Sequence, residues 1–243
     1  MCRPRRWRST WRPSGAGARW PARHASGRDI TGIARTPLPR PGVRASARRH
    51  CMGERTAPTV YFAEPGPANT ERTLALAYER MKELDIRRVL VATTSGATGA
   101  RAAQLFPADR LVVVSHSAGF LEPNVQELLP EHRAAIERAG VPILTCTHAF
   151  GGVGRAVRRK LATYQVDEIM AYTLRIFGQG VKVGVEMALM AADAGLVRCD
   201  QEIITIAGTR SGADTALVIR PAHAQDLFDL QVLEIICKPR LGV

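Results

Sequence analysis

The chain has 243 residues with 34 Lys or Arg against 22 Asp or Glu, and its formal net charge of +12 taken alone points to nucleic acid or an anionic surface. The excess sits in one place: residues 1–51 hold 13 Arg, no Lys and one acid, Asp29, while residues 52–243 hold 21 basic and 21 acidic side chains. A uniformly basic nucleic-acid-binding fold is therefore excluded. So is a membrane span, because the most apolar long stretch, 181–197, is broken by Lys182, Glu186 and Asp193 and falls short of the roughly 18 uncharged residues required.

Residues 1–55 read as a disordered Arg/Pro-rich leader, since Arg, Ala, Pro and Gly without apolar periodicity cannot bury enough surface to offset ordering entropy. Three explanations compete: a transit peptide, whose amphipathic helix the Pro and Gly oppose; a phosphate-binding basic arm; and GC-rich upstream DNA read as protein, with Met52 as the true start. The last is preferred. Residues 56–243 then form a single domain.

A short apolar run at 59–62 precedes the turn signal Glu64-Pro65-Gly66-Pro67, and Asn69 or Thr70 can cap a helix bearing Leu74, Tyr78, Met81 and Leu84 or Ile86. A buried strand is expected at 89–92, a polar turn at 93–99 and a short helix reaching Leu105. A third strand at 111–114 and a loop at 115–120 lead to a helix marked by Val125, Leu128, Leu129 and Ile136. Strand four is expected at 141–145, before a glycine cluster and a basic helix with Val157, Leu161 and Tyr164 inward. Two further helices carry Met170, Leu174 and Phe177, then Val183, Met187, Met190 and Ala194. Strands at 203–207 and 216–220 are joined by eight residues, too few for a parallel crossover, so they are antiparallel neighbours or lie apart. A last strand is expected at 232–237. The alternation predicts an α/β protein: a three-layer α/β/α sandwich whose sheet is mostly parallel with an antiparallel edge.

In such sheets ligands bind beyond the carboxyl ends of the parallel strands. Loops rich in small polar residues fall at those ends: 93–99 with Thr94, Ser95, Gly96 and Thr98; 115–120 with His116, Ser117 and Gly119; and 147–154 with His148 and three glycines. The first has the glycines, hydroxyls and helix N-terminus that a phosphate needs, although capping explains the same residues. The segment 208–215, with Arg210, Gly212, Asp214 and Thr215, is longer and more polar than a tight hairpin demands. Arg155, Arg158, Arg159 and Lys160 could attract an anion or simply face solvent.

Other chemistry finds little support. His116, His148 and His223 share no metal-ligand spacing, so no metal is expected. Ser117 is in no GxSxG elbow. Glu186 and Asp193 lie two helical turns apart, about 10 Å along the axis. Met187 and Met190 read as core. Cys146 beside His148 lacks a visible activating environment. Scattered cysteines without CxxC spacing suit a reducing cytoplasm.

The runs YFAEPGPANTERTLALAYERMKEL, VLVATTSGATGARAA, SHSAGF and FGQGVKVGVEMALMAADAGLV, and above all GTRSGADTALVIRPAH followed by EIICKPR, give residues 59–240 a clear resemblance to the pyruvate kinase alpha/beta domain family, specifically its stand-alone members. The resemblance implies a three-layer fold without the catalytic barrel, hence no pyruvate kinase activity. It also implies binding of a phosphorylated small molecule, FMN being the cofactor it suggests. By position, Thr94, Ser95, Gly96 and Thr98, then His116 and Gly119, then Arg210, Gly212, Asp214 and Thr215 match the family's loops. Residues 145–152 depart from the pattern by being richer in glycine. The expected function is thus binding of a phosphorylated ligand at the carboxyl edge of the sheet, Phe120 or Phe150 supplying an apolar wall. The alternative is an enzyme acting on such a ligand with His116 or His148 as acid or base. Neither membrane nor nucleic acid is expected as a partner, and self-association into a homo-oligomer is left open.

Overall fold

A computed structural model describes residues 54–240. The expectations about the leader and about Met52 as a start fall on residues outside that range.

The strands are β1 (Val60–Phe62), β2 (Val89–Thr93), β3 (Leu111–Ser115), β4 (Ile143–Thr145), β5 (Ile203–Ala207), β6 (Thr215–Arg220) and β7 (Gln231–Pro239), in the spatial order β1-β7-β6-β5-β2-β3-β4. All pairs are parallel except the two made by β6, which runs against β5 and β7. The short link after Ala207 forces that hairpin, with Ala207 opposite Thr215. The antiparallel element lies toward the β1 side of the sheet with β7 and β1 outside it.

Among the described residues six α-helices accompany the sheet: α1 (Thr70–Glu83), α2 (Ala97–Leu105), α3 (Pro130–Arg138), α4 (Val153–Leu161), α5 (Val166–Arg175) and α6 (Gln179–Asp193). Alternation along the strands builds the two apolar layers. Val89, Val91, Leu111, Val113, Ile204 and Ile206 pack on one face with Leu74 and Met81 of α1, Ala102 of α2 and Ile136 of α3. Leu90, Val112, Val114, Ile203, Leu217 and Ile219 pack on the other with α5 and α6. The central strands are buried on both faces, which is why they read as continuous apolar runs.

Four expectations need correction. The third helix begins only at Pro130, leaving Val125, Leu128 and Leu129 ahead of it; Pro fits the first helical turn and holds Leu129 extended. Strand four starts at Ile143 because Pro142 has no N–H to give the ladder. Leu161 and Tyr164 do not point inward: both are exposed, and the left-handed Ala162 ends α4 before Tyr164 is reached. Phe177, also exposed, lies past the end of α5. Among the described residues no helix is long and apolar enough to cross a membrane.

Candidate functional site

Because β2, β3, β4 and β5 run in one direction, Thr93, Ser115, Thr145 and Ala207 end at the same edge of the sheet. The loop after β2 is set by Thr93, whose Oγ1 accepts the N–H of Gly96 at 3.1 Å and of Gly99 at 3.4 Å. Thr93 therefore serves the α2 N-terminus in place of Thr94, Ser95 or Thr98, the caps expected from sequence. Among the described residues the hydroxyls of Thr94 and Ser95 have no hydrogen-bond partner. The Ser95 carbonyl accepts the Leu129 N–H at 3.0 Å and His132 Nδ1–H at 2.9 Å, which anchors the loop from behind. Gly96 has φ +101°, and a Cβ there would overlap His132 and Leu128. Gly96→Ala is accordingly expected to cost about 2 kcal/mol or more, since the left-handed region alone costs an L-residue roughly 1–2, read as a lowered denaturation midpoint.

After β3, Gly119 (φ +76°) turns the chain, donating to the Val125 carbonyl at 2.8 Å, and presents Phe120. His116 Nδ1 donates to Glu127 Oε2 at 2.8 Å, a direction fixed because a carboxylate only accepts; Nε2 is left as the acceptor nitrogen. The ring of His116 lies 4.2 Å from Phe120 and 5.2 Å from His148, and Phe120 stacks on His148 at 4.8 Å, so the 115–120 and 147–154 loops form one aromatic cluster. His148 Nδ1 stands 3.6 Å from Glu186 Oε2, and its buried Nε2 has no hydrogen-bond partner among the described residues.

The loop after β5 is clasped by Asp214. This carboxylate is fully buried and accepts from the Gly66 N–H at 3.0 Å, the Thr209 N–H at 3.1 Å and Thr215 Oγ1 at 2.8 Å. Gly212 (φ +70°) packs where a Cβ would overlap Pro67 and Thr70. Arg210, in the same loop, has φ +67°, a left-handed backbone uncommon for a side-chain-bearing residue.

Together these loops enclose a crevice of about 850 Å³ lined by Thr94, Ser95, Thr98, His116, Phe120, Arg210 and Gly212. Of the residues singled out from sequence, Gly96, Gly119, Asp214 and Thr215 do not line it; they shape the loops that do. Arg101 reaches the wall, but its guanidinium is closed off by two hydrogen bonds to Glu71. Phe150 is in the core and not in the crevice wall. A smaller adjoining cavity of about 150 Å³ shares His116 and Phe120 with the crevice and adds His148, Arg155, Arg175, Lys182 and Glu186.

Lys182 and Glu186 were legible only as interruptions of an apolar helix. Both are buried, Lys182 Nζ donates to Glu186 Oε2, and Glu186 Oε1 accepts the Phe150 N–H at 2.9 Å. Burial alone would raise the Glu186 carboxyl, but the adjacent His148 and the Lys182 ammonium outweigh it and hold the group down at about 2. Burial lowers Lys182, and Glu186 only partly offsets it. A charged pair at i, i+4 inside an otherwise apolar helix is the sequence signal that could have found this pair. Cys146 gains no activation: burial, then Asp193, pushes its thiol up. Met187 and Met190 are core residues whose side chains also reach the smaller cavity. Among the described residues no cluster of three or more His, Cys, Asp or Glu is placed to hold a metal ion.

Residues 71–219 match the family model described as pyruvate kinase, alpha/beta domain. The chain belongs to that family. Among solved structures, the pyruvate kinase alpha/beta domain described here is similar to a pyruvate kinase of Cryptosporidium parvum at 11% identity and a TM-score of 0.33, covering 65% of this chain and 23% of that one. Another structure of Cryptosporidium parvum pyruvate kinase is similar at 11% identity and a TM-score of 0.31, covering 65% and 24%. The complex of that organism's enzyme with ADP is similar at 12% identity and the same TM-score, covering 64% and 24%. The chain thus spans about a quarter of the length of the kinases it matches.

Proposed function

We propose that the domain binds a phosphorylated small molecule in the crevice, with FMN as the ligand to test first. The observation that carries this reading is the convergence of unpartnered Thr94 and Ser95 hydroxyls, the α2 N-terminus and Arg210 on one crevice with an aromatic side, Phe120. Hydroxyls, first-turn N–H groups and a helix dipole favour an anion, and the volume lies within the roughly 300–1,000 Å³ usual for small-molecule sites. Glycine would occupy the left-handed position 210 with less strain, so an arginine there supports a role for its side chain. A flavin phosphate would lie with its phosphate at 94–98 and Arg210, its ring system toward Phe120.

The full-length protein, titrated with FMN while its visible absorption is followed, is expected to bind, and Arg210→Ala to weaken binding about tenfold or more, the size of one lost charge-assisted hydrogen bond. Absence of FMN binding, together with no ligand found by mass spectrometry in the purified protein, would remove the flavin version. Unchanged affinity in Arg210→Ala would remove this site.

A second reading, an enzyme acting on the same ligand, is favoured by one feature: His116 and His148 face each other, each with Nδ1 toward a carboxylate. That arrangement suits acid–base work at His116 Nε2, His148 Nε2 being buried. Under this reading His116→Gln abolishes turnover of the bound ligand with little change in its affinity, whereas a pure binder shows no turnover to lose.

A further inference from the structure

Behind the histidine cavity, and sharing Arg155, Arg175 and Lys182 with it, α4, α5 and α6 surround a polar cavity of about 230 Å³. Arg155, Arg158, Arg159, Arg175 and Lys182 line it, with Glu168 as the one carboxylate. That carboxylate is already engaged: Glu168 Oε1 accepts Arg158 Nε at 2.6 Å, and Lys182 is matched by Glu186 outside the cavity. Among the described residues Arg155, Arg159 and Arg175 have no carboxylate partner. Two of them are nevertheless held in place. Arg155 lies over the Phe120 ring at 4.6 Å; Arg175 lies over Tyr172 at 5.1 Å and donates Nε–H to Gln179 at 2.8 Å. Aromatic faces and an amide orient these guanidiniums without neutralising them.

A solvated helix face would spread such charges outward, but here they converge from three helices on one concavity. Their mutual repulsion is felt by Lys182, whose ammonium is disfavoured first by burial and further by Arg175 and Arg155. An anion in the middle removes that repulsion, and planar guanidinium forks match a tetrahedral oxyanion.

We propose that this arginine-lined cavity is a second anion-binding subsite, distinct from the loop crevice, and that its ligand is a small doubly charged oxyanion of the phosphate class. Arg159 lines this cavity and an open concavity along α4 but neither the histidine cavity nor the crevice, whereas Arg210 lines only the crevice, so the two substitutions separate the α4 arginines from the crevice.

The test is the rise in melting temperature of the full-length protein with inorganic phosphate at constant ionic strength. Phosphate excluded from the protein surface also stabilises, but that effect does not saturate and is common to the wild type and its variants, so the saturable part of the rise and its change between variants report anion bound to the folded domain. In the Arg210→Ala background, which sets the crevice aside, phosphate is expected still to stabilise the domain. Adding Arg159→Gln should raise the half-saturating phosphate concentration about tenfold, and Arg159→Lys should recover part of the loss. An equal phosphate response with and without Arg159→Gln would overturn the subsite, as would the absence of any phosphate response in Arg210→Ala. Failure of the crevice reading looks different: Arg210→Ala alone would leave FMN affinity unchanged while the Arg159 effect persists.

Discussion

Glu186→Gln is expected to destabilise the domain by about 3–5 kcal/mol, the cost of leaving one member of a buried ion pair without its partner. For a domain of this size that is a fall in melting temperature of about 6–20 °C. The amide oxygen introduced by Glu186→Gln could still accept the Phe150 N–H, so the loss reports the charge opposite His148 and Lys182, the latter buried in α6 against β5 and β6. Replacing both members by apolar residues, as in Lys182→Met with Glu186→Leu, should recover part of the stability, because the desolvation cost of both ions disappears with them while the Phe150 N–H loses its acceptor. The pH dependence has a definite sign. Glu186 is held at about 2 in the folded state against an ordinary 4.5. Its contribution is therefore complete above about 4.5 and is lost as the pH falls toward about 2. Acid denaturation followed by circular dichroism should show the wild type losing stability across that window and the Glu186→Leu/Lys182→Met variant losing less. Equal acid sensitivity would mean that the pair does not carry the effect.

The parts of this fold that could be read from sequence are those where one physical demand dominates. Strands β2, β3 and β5 are buried on both faces, so Val89–Thr93, Leu111–Ser115 and Ile203–Ala207 appear as apolar runs bounded by polar loops. Their common direction then places Thr94, His116 and Arg210 at one edge without further information. Where two demands compete, the reading fails. Leu161 and Tyr164 continue an apolar period but stay exposed, because α4 ends at Ala162 and packs along α5 rather than on the sheet. Tyr164 instead packs edge-on against Tyr172, beneath Arg158. The meeting of His116 and His148 depends on β3 and β4 being neighbours, with Ser115 opposite Thr145, a long-range pairing invisible to local pattern. Asp214 was legible as a polar residue in an unusual loop, but not as the acceptor on which three donors converge.

That convergence makes Asp214→Asn the sharper test of what holds the crevice together. The substitution keeps size and shape, so a purely steric role predicts little change. The structure predicts about 1–3 kcal/mol of destabilisation: Oδ2 takes both the Gly66 and Thr209 N–H groups and Oδ1 the Thr215 hydroxyl, so an amide keeps the two N–H bonds on its oxygen but turns them from charge-assisted to neutral, a loss of roughly 1 kcal/mol each. Thr215 can turn its hydroxyl, but the two backbone N–H groups cannot, so the amide oxygen must serve both and the amide nitrogen is left facing Thr215. The Gly66 bond joins the segment before α1 to the β5–β6 loop, 148 residues away. Loosening it frees Gly212 from its seat against Pro67 and Thr70 and lets Arg210 move from the crevice rim. Asp214→Asn should therefore lower both the denaturation midpoint and the affinity for FMN, even though Asp214 does not line the crevice. Arg210→Ala should lower the affinity alone. A variant at Asp214 that melts normally would show that the 208–215 loop is held by its packing and not by this carboxylate.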